Sequence, residues 1–512
     1  MRSSRRALAP ILLLAPCFSL WAQAKPAPAV AAAAAVSACP TEITQPIQPQ
    51  PLGIAFFQRA KIAQAKTPVE AGKVIRDAMK SLFDDKNKSN ALGRDFLLGQ
   101  FYILAIESGD IQTRGDLGMP GDKAAKVDLV TGADSLFTII EKAQPACASE
   151  VLQWREFKPF QNMSAAAYKA LAAGAVDSAE RLARRAQILN KNGAQSYDIL
   201  WRVAQKRGDE AGQVTNLQAA IDRLAGDTAN ANVRSNFMFN LGRIQRDFGD
   251  KKSDKAAKAA QYKSATSAYM TLLKEYPTSE EAPFAFQEIS NITTITSDTA
   301  SALAAVAIIK ASPEKFNDMA LATAGVLATR SGKSADAVAM FDAAVKKNPY
   351  SRDYLYNLAA MLYEAKRSSE MSPFVRRLVE VDPSNSENVM LFAYSFKGLS
   401  DNEKDPKAKK ALIDSVALYS KKADDLNMVH KVVYLEFDRA KEHTTLRGQV
   451  ENHGKVAKSY TIDFEFVGKD GAVLGKQTAS VANVKPNGAG DFTVELPLGG
   501  VYGVRYAALP LK

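Results

Sequence analysis

An α-solenoid of helix pairs followed by a small all-β sandwich is the fold class that this sequence predicts. Amphipathic helical patterning, broken by short turns, runs from near Ile54 to about Leu426. Within it, a small residue, an aromatic and a proline recur at fixed spacing. Over the last 83 residues that pattern gives way to period-two alternation punctuated by Gly, Pro and Asn. At 512 residues the chain also exceeds one ordinary core, as an extended array requires.

Composition narrows the function. With 46% hydrophobic and 24% charged residues the chain is not broadly disordered. Three Cys exclude a disulfide framework or a Cys-rich zinc protein. The three His (His430, His443, His453) all lie in the last 83 residues, so no mechanism can rest on His before them. The net charge of +11 is spread along the chain, which fits weak attraction to acidic surfaces and no nucleic-acid site.

Residues 1–24 read as a signal peptide. Arg2, Arg5 and Arg6 precede an apolar run from Ala7 to Pro16, and Ala22-Gln23-Ala24 fits the small-x-small cleavage rule. Cys17 offers a lipidation alternative, against which Pro16 speaks. Residues 25–52 are rich in Ala and Pro and read as a tether. Two Cys follow the cleavage point, Cys39 and Cys147. An oxidising compartment permits a bridge between them, and two separate thiols are the other reading. No later apolar run approaches a membrane span; the longest, Ala300 to Ile309, suits a buried helix. The expected location is the periplasm or the cell exterior.

The helical array is expected over residues 53–426. Thr67-Pro68-Val69-Glu70 is a capping box opening a helix to about Asp84. Leu98-Gly99 is followed by Ala133, Phe137 and Pro145. Leu241-Gly242 leads to Ala265, Tyr269 and Pro277. Ala324-Gly325 leads to Ala337, Phe341 and Pro349, and Leu358-Ala359 to Val375 and Pro383. Small residues let paired helices approach closely, the aromatics are expected to fill space toward the next unit, and Pro ends each second helix. Ala179, Ala183, Leu200 and Leu217 mark weaker units, and a further pair is expected over Glu387 to Leu426. This pattern resembles the tetratricopeptide repeat family over roughly residues 90–400, and the resemblance implies a helix–turn–helix array that binds proteins. Three departures stand out. Extra residues fall mostly in Glu107 to Ala125; a Lys-rich stretch near Lys251 to Gln261 is expected to lengthen a helix; and a Thr-rich Ile292–Thr299 predicts a distorted pair.

Over 430–512, Tyr460, Ile462, Phe464 and Phe466 alternate with polar residues, and Asp470-Gly471 is a hairpin signal. Further strands are expected at 432–438, 445–452, 472–477, 480–484, 490–496 and 501–508, seven in all. Leu446-x-Gly448-x-Val450-x-Asn452, Asp470-Gly471-x-Val473 and Val484-x-Pro486 resemble the FxLYD-type immunoglobulin-like domains. That resemblance implies a binding or spacer module without catalytic residues.

No phosphate-binding Gly loop, H-E-x-x-H or G-x-S-x-G is present, and no nucleophile–base pair stands out. No catalytic residue, cofactor or metal site is therefore predicted. Recognition is the remaining chemistry. The first helices would present Arg202, Lys206, Asn236, Phe239, Arg243, Arg246, Tyr356, Tyr363 and Tyr394 to a groove. The basic part suits an acidic peptide and the Tyr-lined part an apolar one; scattered solvent-facing residues are the alternative. The Lys/Asn constellation of the chaperone-tail-binding subfamily is not recognisable. The expected function is a non-enzymatic extracytoplasmic adaptor, with a cell-envelope structural or assembly accessory role, at the outer membrane or in polysaccharide secretion, as the other reading.

Overall fold

The computed structural model describes residues 39–439 and 442–511. The signal-peptide reading, Cys17 and the first part of the tether lie outside them. The molecule divides into two compact units between Phe237 and Met238.

In the first unit, α1 (Gln50–Ile62) and α2 (Pro68–Leu82) precede α3 (Ala91–Ala105). Thr67 caps α2 by accepting from the Glu70 amide at 3.2 Å. A two-stranded antiparallel ribbon, β1 (Ile111–Thr113) and β2 (Lys126–Asp128), occupies the extra residues seen in the sequence, where no strand was expected. Then come α4 (Leu129–Ala143), α5 (Ala148–Arg155) and two pairs, α6 (Lys158–Ala172) with α7 (Val176–Leu189) and α8 (Ala194–Arg207) with α9 (Glu210–Arg223). Arg185 on α7 holds the ribbon in place through Asp110 at 2.8 Å and Asp128 at 2.6 Å.

The last part of the expected tether is packed. Cys39, Ile43 and Leu52 are buried, and the Asn90 side-chain amide donates to the Glu42 carbonyl at 2.8 Å. A disulfide joins Cys39 to Cys147 in the turn after α4. Apolar side chains within an Ala/Pro-rich stretch, fastened by that bond, account for the order over residues 39–52.

Helix α10 (Ala231–Lys251) runs through the division. The second unit continues with α11 (Lys255–Glu275), α12 (Ala282–Thr296), α13 (Thr299–Ala311), α14 (Asp318–Arg330) and α15 (Ser334–Lys347). These are followed by α16 (Arg352–Glu364), α17 (Ser372–Val381), α18 (Ser386–Asn402) and α19 (Pro406–Val429). The Lys-rich stretch between α10 and α11 lengthens both helices to 21 residues. The α12–α13 pair is regular, contrary to the expected distortion. Thr293, Thr294 and Thr296 turn their hydroxyls back onto carbonyls three or four residues earlier (Ile289 at 2.8 Å, Ser290 at 2.7 Å, Ile292 at 2.8 Å), and Ser297 takes a left-handed φ of 56° that makes the turn tight.

Glycine on one helix and an aromatic on its partner fix the pairs. A Cβ added to Gly99 would meet the Phe137 ring at 2.7 Å, one at Gly242 the Tyr269 ring at 2.5 Å, and one at Gly325 the Phe341 ring at 2.8 Å. Each aromatic thus seats on the glycine of its own pair, whereas the sequence placed it toward the next unit. This reverses the usual effect of Gly→Ala in a helix, which gains up to ~1 kcal/mol. Gly242→Ala should instead destabilise the second unit by ~1–3 kcal/mol, because the buried Tyr269 ring has nowhere to go. A urea titration followed by circular dichroism reads the shift, and an unchanged midpoint would contradict it.

The C-terminal part has two three-stranded antiparallel sheets. One orders β3 (His430–Arg439), β4 (Thr444–Asn452) and β7 (Gly488–Leu496), and the other β6 (Val473–Val484), β5 (Lys458–Val467) and β8 (Gly503–Tyr506). Alternate residues of both, including Val450, Ile462, Phe464, Phe466, Phe492 and Tyr506, close one core. There are six strands here, not seven. The expected 472–477 and 480–484 form a single strand, because alternation continues through Ala479, Val481 and Val484 with no turn residue between. The last is cut to four residues as the chain leaves the sheet.

This β part is bolted to the helices before it. Asp382, in the turn after α17, is fully buried. It accepts from Arg352 Nε at 2.8 Å, from Asn388 Nδ2 at 2.9 Å and from the Tyr506 hydroxyl on β8. The Tyr506 phenol is pushed well above its usual range, by burial first and then by the Asp382 charge, so it stays a donor. The Leu509 amide donates to Ser384 Oγ at 2.8 Å, and Lys431 pairs with Glu387 at 2.8 Å.

Candidate functional site

Helices α12, α14 and α16 are the first helices of three successive pairs, and together they line a groove of about 250 Å³. The α14 contribution is Met319, Ala322, Thr323, Val326 and Arg330, the 3–4 spacing of one helical face. Asn317 sets the start of α14 by accepting from the Ala320 amide at 2.9 Å, and Gly332, at φ 68°, ends it just after Arg330. Gln287 and Ser290 come from α12; Asp353, Tyr354 and Asn357 come from α16.

Arg330 is the cation of the groove; Asp353, the acid of the groove, pairs with Arg352 at 3.3 Å. Arg330 Nη1 donates to Ser290 Oγ at 3.2 Å and Thr294 Oγ1 at 3.0 Å. The Thr294 hydroxyl spends its own proton on the Ser290 carbonyl, so its lone pairs face the guanidinium. Among the described residues Arg330 makes no ion pair; hydroxyls orient it without neutralising it. Met319, 43% exposed, offers an apolar neighbour along the same face. An oriented cation beside apolar surface can take a carboxylate whose flanking groups are apolar.

None of the nine groove residues read from the sequence lines this groove. Arg202, Lys206 and Asn236 lie in the first unit. Arg202 Nε donates to the buried Asp198 at 2.9 Å, which also accepts from Tyr168 at 2.5 Å and Trp201 Nε1 at 2.7 Å. Lys206 is exposed and Asn236 half-buried. In the second unit, Phe239 packs on Tyr269 and Phe284, and Arg243 donates to Asn240 at 3.1 Å. Arg246 is enclosed by acids, pairing with Glu288 and, at 3.1 Å, with Asp247. Burial works against its charge, but those carboxylates outweigh it and hold the guanidinium above its ordinary range. Tyr356 is half-buried, its phenol raised by burial and then by Glu387. Tyr363 and Tyr394 meet, stacked at 4.7 Å on α16 and α18.

Sequence reasoning missed Arg330 because it ranked Arg and Tyr by helix register alone. The Thr-rich segment, read as a source of distortion, supplies the hydroxyl that orients it. In the first unit a second hollow, of about 310 Å³, lies beside the ribbon, but its Arg185 is already bound to Asp110 and Asp128.

Among the described residues no group of three or more His, Cys, Asp or Glu is placed to hold a metal, and no helix is long and apolar enough to cross a membrane. His453 instead bonds the Asn427 carbonyl at 2.6 Å and Glu451 at 2.8 Å, and His443 bonds Thr445 at 3.1 Å.

No protein-family model matches the sequence, and no curated protein does. Among solved structures the chain is similar to a tetratricopeptide repeat protein from Parabacteroides merdae, at 14% identity, covering 51% of this chain and 99% of that one, TM-score 0.24. It is similar to the TPR2AB domain of yeast Sti1, solved in a pHSP90 complex, at 16% identity, covering 52% and 93%, TM-score 0.22. A third is Pseudomonas aeruginosa PilF, at 15% identity, covering 52% and 91%, TM-score 0.19. The helix pairs are defined by their own packing, with glycine against aromatic in three of them.

Proposed function

We propose that the chain is a non-enzymatic, exported scaffold that seats a protein or peptide partner in the groove of α12, α14 and α16, with a carboxylate of that partner on Arg330. The observation that carries this reading is the guanidinium held by Ser290 and Thr294 without an acid, next to exposed Met319. The stacked Tyr363–Tyr394 pair offers a separate apolar contact, and the β-sandwich, read as an immunoglobulin-like module, a further one. Export to an oxidising compartment is supported by the Cys39–Cys147 bond and by the Arg-rich, Ala22-Gln23-Ala24 start.

The test is affinity capture from a cell-envelope extract with the wild-type chain and Arg330→Glu side by side. The same partner should be retained at least about tenfold less by the variant, and wild-type retention should fall as salt rises. Equal retention by both chains overturns the groove assignment. Fractionation tests export: recovery in the cytoplasmic fraction would overturn it, and tight co-sedimentation with the outer membrane would favour the envelope accessory role over the soluble adaptor.

A further inference from the structure

Where α19 passes into β3, a histidine is sealed in without a partner. His430 is 0% exposed, and neither ring nitrogen has a protein hydrogen-bond partner among the described residues. Tyr460 on β5, 3% exposed, meets the imidazole edge-on at 6.0 Å, and its hydroxyl is also unpartnered. Three buried polar atoms at one joint thus lack a protein partner among the described residues, which leaves nothing there to stabilise an added proton.

The surroundings tell against a charge there. Lys458 on β5 and the His453 imidazole in the β4–β5 turn both oppose protonation of His430. Glu451 on β4, opposite Lys431 in the ladder, is engaged by His453 at 2.8 Å. The Asn452 amide, opposite His430 in the β3–β4 ladder, is spent on the Val456 and Val484 carbonyls, each at 2.8 Å. The carbonyl end of α19 would by itself favour a cation. Burial outweighs it, followed by Lys458 and His453, and lowers the imidazole from 6.5 to about 4.

The joint is held by the β3–β4 ladder, by the His453 ring on the Asn427 carbonyl of α19 at 2.6 Å, and by two backbone amides. The His430 amide donates to the Leu426 carbonyl, and the His453 amide donates to the Val429 carbonyl at 3.0 Å. Next to the joint, Lys431 pairs with Glu387 at 2.8 Å and the Asn385 side-chain amide donates to the Val432 carbonyl at 3.4 Å, so opening is confined to the residues up to them, while Tyr506 and Leu509 keep the rest docked.

We propose that His430 is an acid-sensitive latch: neutral and buried, it closes the α19–β3 joint, and once protonated it must reach water, which opens the first residues of β3 and the His453 turn. The sign follows from linkage. The closed state binds the proton more weakly than the open one, so the stabilisation of the closed joint by neutral His430 is fully present above about pH 6.5 and is lost as pH falls toward 4. This holds whether or not the groove binds a partner.

Amide hydrogen exchange on the full chain, corrected for intrinsic rate, tests it at pH 7.5 and pH 5.0. Protection over residues 426–433 and 451–456 should drop about 30-fold at the lower pH, because pH 5.0 lies well below the open-state constant of 6.5 and still above the closed-state one. His430→Phe fills the same space without titrating, and should keep its protection at pH 5.0. A wild-type loss under about threefold, or an equal loss in the variant, overturns the latch. Should the variant not fold, exchange of the His430 ring C2 hydrogen in the wild type decides it: a midpoint near pH 4 supports the latch, and one at or above 6.5 overturns it.

Discussion

Replacing Asp382 by alanine is expected to destabilise the second unit by about 3–5 kcal/mol, the range for removing one member of a buried ion pair. The carboxylate has no exposure, and three donors converge on it: Arg352 Nε at 2.8 Å, Asn388 Nδ2 at 2.9 Å and the Tyr506 hydroxyl. Its loss would leave the Arg352 charge, 23% exposed, without its closest acid and the Tyr506 phenol without an acceptor. Tyr506→Phe removes one donor and leaves the ion pair intact, so its cost should be nearer 1–2 kcal/mol. Trp154 and Trp201 both belong to the first unit, so circular dichroism or tyrosine fluorescence in urea is the suitable probe. An Asp382→Ala midpoint within error of the wild type would mean that the network does not hold the sandwich in place.

Reducing the Cys39–Cys147 bond should cost the first unit about 4 kcal/mol. The bond spans 108 residues, and closing a loop of that length removes much of the freedom of the unfolded chain. Here Trp154 and Trp201 are useful reporters. Their unfolding midpoint in urea should fall on addition of reductant, and Cys39→Ser should reproduce the fall without it. A midpoint indifferent to reductant would contradict the bond's stabilising role.

Local chemistry made most of the helices legible. Gly99, Gly242 and Gly325 announced close approach, Thr67 to Glu70 announced a helix start, and Pro349 and Pro383 announced ends, because each acts within a turn or two of chain. The alternation from Tyr460 to Phe466 announced a strand for the same reason. What stayed hidden depends on residues far apart in sequence. Arg246 looked available until Glu288, 42 positions on, came to lie against it. Arg330 gained its orientation from hydroxyls 36 and 40 positions earlier. The turn at Asp382 reads as an ordinary helix end, and only the packing of β8 reveals an acceptor for a tyrosine 124 residues downstream. The ribbon β1–β2 was missed because three-residue strands leave too little alternation to see.

The Tyr506 and Leu509 contacts make the last helix pairs depend on the far end of the chain. The turn between α17 and α18 is finished by side chains and amides made more than 120 residues later. Without them Asp382 would lose a donor and Ser384 its amide partner, so the solenoid cannot be shortened or lengthened at this end, as a repeat array otherwise allows, without answering to the sandwich.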